Sequence, residues 1–60
     1  MTKLYYNEYY KVALLIDETN KTYKVIKGKL QGIKALFTYK SNLFRLKELY
    51  NDVKNSYSLA

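Results

Sequence analysis

The chain has no cysteine, no histidine and no tryptophan, only two glycines and a single arginine, Arg45, among its 60 residues. Without cysteine there is neither a disulfide framework nor a thiol nucleophile, and without histidine the commonest general base and metal ligand are missing. Metal binding is left to carboxylates alone. Asp17 and Glu18 with Asn20 lack the spacing and ligand number of a calcium loop, and no glycine-rich phosphate loop precedes a helix. No paired carboxylates lie in an apolar setting suited to acid–base work. These absences point to a protein that is not an enzyme and has no metal site and no cofactor.

Long apolar runs are missing too. The longest, Val12 to Ile16, is strand-sized, far below the ~18 residues of a membrane span. The residues after Lys3 are Tyr5, Tyr6, Asn7 and Glu8, unlike the apolar core of a signal peptide. The expectation is a cytoplasmic protein without membrane contact. Sixty residues make one small domain, residues 1–60, which buries only ~60% of its unfolded surface. Help from a homodimer or a bound target is therefore expected.

One sign of charge is missing from the middle of the chain. From Thr19 to Lys47 there is no Asp or Glu, while Lys21, Lys24, Lys27, Lys29, Lys34, Lys40, Arg45 and Lys47 all fall there. The net charge of +6 is concentrated in this segment, since Glu8, Asp17 and Glu18 precede it and Glu48 and Asp52 follow.

The apolar pattern gives an α+β reading: a three-stranded antiparallel meander with a C-terminal helix packed on one face. Residues 4–16 read as a strand rich in tyrosine and aliphatics. A helix competes there, with Tyr5, Tyr9, Val12 and Ile16 on one side and Thr2 as its cap. Asp17 to Lys21 is a turn by its Asp and Asn content. Residues 22–28 alternate, with Tyr23, Val25 and Lys27 on one face and Thr22, Lys24 and Ile26 on the other. Gly28 and Gly32 mark a second turn. Residues 33–39 alternate again, placing Ile33, Ala35 and Phe37 toward the helix, although Leu30, Ile33, Leu36 and Phe37 would also share a helical side. Residues 42–55 form the helix, capped by Ser41 or Asn42, with Leu43, Leu46, Leu49, Tyr50 and Val53 as its stripe and Phe44 widening it.

Basic residues interleaved with aromatics are the equipment of a nucleic-acid binder, lysines neutralising phosphates and tyrosines stacking on bases. The candidates are Lys24, Lys27, Lys29, Lys34 and Lys40 with Tyr23 and Tyr39, and DNA is the favoured ligand. Such lysines also serve simply to keep edge strands from pairing. The competing reading is a small inhibitor or adaptor that grips a host or defence protein through exposed Tyr5, Tyr6, Tyr9 and Tyr10, since tyrosine offers stiff contact area with a polar tip.

The strand order followed by a helix, with Phe37, Thr38, Tyr39 and Lys40 running into Leu43 and a hairpin at Asp17 to Lys21, resembles the small arm-type or AP2-like DNA-binding domains of phage integrases. That resemblance implies a sheet docked in the major groove. The arginines common on such sheets are absent, so bidentate reading of guanine is not expected. Size and Lys-Asn-Tyr bias are similar to small accessory proteins of bacteriophages and mobile elements. The segment from Tyr10 to Lys27 is similar to the hairpin of the short phage inhibitors of uracil-DNA glycosylase, but those are acidic DNA mimics and this chain is basic.

Overall fold

Two short sequences ten residues apart, Asn7-Glu8-Tyr9-Tyr10-Lys11 and Asp17-Glu18-Thr19-Asn20-Lys21, shape the first half of the chain. In the computed structural model, which describes residues 1–30 and 32–60, each of them reverses the backbone between two strands. Both begin with a side-chain acceptor. The Tyr10 N–H donates to Asn7 Oδ1 at 2.9 Å, and the N–H groups of Thr19 and Asn20 donate to Asp17 Oδ1 at 3.1 and 3.3 Å. Both end on a lysine in the left-handed region, Lys11 at φ 52° and Lys21 at φ 56°. The result is a meander of β1 (Thr2–Asn7), β2 (Val12–Asp17) and β3 (Thr22–Lys27), antiparallel throughout. The expected single strand over 4–16 is therefore two strands with a turn at its centre. Strand propensity in Tyr9 and Tyr10 masks that turn.

The remaining strands make the sheet mixed, with order β4-β1-β2-β3-β5. β4 (Phe37–Lys40) lies parallel to β1, and β5 (Ser58–Leu59) lies parallel to β3. The molecule is α+β as expected, but a five-stranded mixed sheet replaces the three-stranded antiparallel meander. The expected strand over 33–39 begins only at Phe37. Ile33 and Ala35 are half-buried and Lys34 and Leu36 exposed, so the alternation is real. It belongs to an extended linker, because chain laid over a sheet also turns every second residue inward.

That linker leaves β3 through Gly28, whose φ of 95° suits a residue without Cβ and whose N–H donates to the Lys11 carbonyl at 2.8 Å. It crosses one face of the sheet and arrives beside β1, where the Leu36 N–H donates to the Thr2 carbonyl at 3.0 Å. Helix α1 (Leu43–Ser56) then crosses the other face. Its cap is Asn42, which accepts the Arg45 N–H at 2.7 Å, and its start is pinned to β1. The Ser41 N–H donates to the Tyr6 carbonyl at 2.7 Å, and Asn7 Nδ2 donates to the Ser41 carbonyl at 2.9 Å.

The core lies between helix and sheet and comprises Leu14, Ile16, Tyr23, Leu46 and Val53, flanked by Tyr5, Val12, Leu49 and Tyr57. Leu4 and Ala13 are buried on the opposite face, the one the linker crosses. The helical stripe is as expected except at Phe44, which points away from the sheet and is 73% exposed. Its position is about 160° around the helix from Leu46, too far to widen the stripe.

A left-handed lysine costs about 1 kcal/mol relative to glycine. Lys11→Gly is expected to raise Tm by several degrees, given ~4–8 °C per kcal/mol at this size. Lys21→Gly should gain less, because it loses the ammonium that sits 5.2 Å from the Tyr57 ring centre. Thermal unfolding of both variants measures the difference.

Candidate nucleic-acid interface

The pleat divides the basic residues of β3. Lys24 shares a face with its cross-strand partner Leu15 and, two residues on, with Ile26. This is the face crossed by the linker, which brings Lys29 and Lys34 to the same place. Lys24, Lys29 and Lys34, with Leu15, Ile26 and Ile33, line one depression of about 510 Å3 whose lining holds no carboxylate. All three lysines are exposed.

The other expected members are elsewhere. Lys27 projects to the helix side, where it lines a groove with Lys47. Lys40 lies at the far edge, roughly 15 Å away across three strand spacings, and its Nζ is 3.3 Å from Glu8 Oε1. Tyr23 is only 7% exposed and sits in the core with its ring edge-on to Tyr50. It cannot stack on a base, and its inclusion among the candidates is corrected: alternation gives two faces but not which one a helix covers. Tyr39 is on the helix side of β4, stacked on Tyr5 at 4.9 Å and near Phe37 at 6.4 Å. The interleaving of lysine and tyrosine along the chain is thus undone in space.

The four N-terminal tyrosines also separate. Tyr5 is half-buried in the stack with Tyr39, and Tyr6 is half-buried on the opposite face. Tyr9 and Tyr10 stand out from the first turn, Tyr9 being 84% exposed, with their rings edge-on at 4.8 Å.

The acids explain why one lysine cluster stays free. Lys3 Nζ is 2.8 Å from Glu18 Oε1, and the only other ion pair among the described residues is Lys40 with Glu8. Hydrogen bonding to Glu18 raises the Lys3 pKa, and the same bond lowers that of Glu18. The Asp17 carboxyl is lowered chiefly by the Asn20 side-chain amide, at 2.8 Å, and by the backbone N–H groups of its turn. Three of the five acids are therefore engaged on the β1–β2 side of the sheet and in the turns. Among the described residues, Lys24, Lys29 and Lys34 are in no ion pair. Sequence reasoning missed Lys47, because its place beside Lys27 depends on how the helix crosses the sheet. The first turn was missed as well, and the likeness of Asn7 to Lys11 with Asp17 to Lys21 is the signal that could have found it.

No family model matches the chain, and comparison with curated proteins and with solved structures yields no significant match either. Among the described residues no helix is long and apolar enough to cross a membrane.

Because the Asp17 and Glu18 pKa values lie below their ordinary ones, their bonds stabilise the fold fully above the unfolded-state values. That contribution is lost as pH falls through the lower, folded-state values. Tm is expected to drop as pH falls below about 5, and Asp17→Asn, which keeps an acceptor but cannot titrate, should flatten part of that drop. Scanning both proteins across this range checks the assignment.

Proposed function

We propose that this protein binds nucleic acid, DNA foremost, through phosphate contacts made by Lys24, Lys29 and Lys34. The observation that carries the reading is the convergence of these three side chains, one from a strand and two from the linker, on a depression without carboxylates. Lysine is a compact point charge suited to a phosphate and ill-suited to bidentate base reading. Arg45, on the helix, is the only arginine, so the expected binding is strongly salt-dependent and weakly sequence-selective. The likeness in composition to small phage and mobile-element accessory proteins supports such a setting. The arm-type resemblance would have the sheet face itself enter a groove. Here the linker occupies the middle of that face, which favours contact along the linker and the β3 side.

A second reading keeps the inhibitor or adaptor role. It is favoured by Tyr9 and Tyr10, which project from the first turn with no core to cover, and it narrows the expected tyrosine surface to these two with Tyr6 beside them.

Labelled random duplex DNA, single-stranded DNA and RNA, each at two salt concentrations, test the proposal by fluorescence anisotropy. The triple change Lys24→Ala, Lys29→Ala and Lys34→Ala is expected to weaken duplex binding and lower the salt slope by up to ~2.7, at ~0.9 per phosphate contact. Lys40→Ala should matter little. Unchanged affinity in the triple variant would remove this surface from the account, and a loss on changing Tyr9 and Tyr10 to Ser instead would favour the second reading.

A further inference from the structure

The linker is tied to the first turn at its very start. The Gly28 N–H that donates to the Lys11 carbonyl at 2.8 Å closes an antiparallel pair one residue beyond Val12 and Lys27, and such pairs set their Cα atoms ~5.5 Å apart. Lys29 follows Gly28 and Tyr10 precedes Lys11, so the Cα atoms of Lys29 and Tyr10 are at most ~13 Å apart. Two further depressions, of about 280 Å3 each, lie along this junction. Tyr6, Lys11, Lys29 and Leu30 are in the lining of one, and Lys29 stands between it and the depression of Lys24 and Lys34, lining both. Tyr6 also lines the other depression, with Tyr9 and Lys40. Positive side chains thus lead from the phosphate surface through Lys29 and Lys11 to the turn. Glu8 is the one carboxylate in these linings, and the Lys40 ammonium holds it at 3.3 Å.

At the turn the rings are open. Tyr9 is 84% and Tyr10 56% exposed, and neither belongs to the core. They meet at an interplanar angle of 78°, an edge-on contact that aromatic rings favour and that leaves ring faces uncovered. The backbone beneath them is fixed, because Asn7 Oδ1 accepts the Tyr10 N–H. Open aromatic faces beside a positive surface are what exposed bases stack on.

From these features we infer that the nucleic acid this protein prefers is an unpaired strand, its phosphates on Lys24, Lys34, Lys29 and Lys11 and its bases stacked on Tyr9 and Tyr10. The inference rests on the phosphate reading above and names the class of its ligand. A duplex engages the lysines alone, since its bases are stacked on one another and their faces are closed to a ring held on a turn. In an unpaired strand every base offers a free π-face, and a positive groove with aromatic side chains binds such strands with little regard to sequence. The scarcity of arginine, with Arg45 alone in the chain, fits binding that does not read base edges.

The probes are labelled ten-residue strands of thymidine or of uridine nucleotides, an abasic strand of the same length and charge, and a ten-base-pair duplex, all followed by anisotropy at low salt. At least one base-bearing strand is expected to bind the intact protein at least tenfold more tightly than the abasic strand, and more tightly than the duplex. Changing Tyr9 and Tyr10 together to Ser should remove that gain, while leaving duplex affinity and the salt slope as they are. Changing both to Phe should keep it, since a phenyl ring also stacks. Both rings lie outside the core, so circular dichroism should show the Ser variant folded, and the abasic comparison on the native chain needs no variant. Ring-proton signals of Tyr9 and Tyr10 should move upfield with the base-bearing strand and stay in place with the abasic one. Equal affinity for base-bearing and abasic strands, tighter binding of the duplex, or undiminished strand affinity in the Ser variant would overturn the inference and leave the phosphate surface standing. Failure of every probe to bind would overturn both.

Discussion

Seating β4 parallel to β1, on the far side of the sheet from β3, obliges the chain to cross the sheet twice. The linker makes the first crossing on one face and the helix the second on the other. Lys29 and Lys34 reach Lys24 only because they ride on the first crossing. The second leads into β5, which pairs with the first two residues of β3. Asn7 holds the arrangement together, accepting from its own turn with one side-chain atom and donating to the Ser41 carbonyl with another.

The core is small, and no side chain in it is fully buried. Lysines paired with acids are those at the β1 and β4 positions, Lys3 and Lys40. Lys24, Lys27 and Lys29, in or just after β3, are in no ion pair among the described residues.

Elements governed by local chemistry were legible in the residues. Asn42 as a cap and the stripe through Leu46 and Val53 place the helix within a residue at each end, and the alternation of Tyr23 to Lys27 gives β3. What stayed hidden is one local turn and the placements that depend on distant partners. Tyr9 and Tyr10 have strand propensity, yet Asn7 and Lys11 bend the chain there. Ile33 and Ala35 alternate as a strand would, but their neighbour is a sheet face rather than a sheet edge. Tyr23 alternates as an available stacking residue would, but the helix covers it. Lys24, Lys29 and Lys34 line one depression, whereas the pleat puts Lys27 on the other face and the pairing of β4 with β1 puts Lys40 at the far edge.

The most direct test is an amide NMR titration of the labelled protein with a short random-sequence duplex at low salt. Shifts confined to Lys24 and to the linker from Lys29 to Lys34, fading as salt is raised, are the predicted result. Shifts centred on Tyr9 and Tyr10 or on the outer face of the helix, or none at all, would contradict the account.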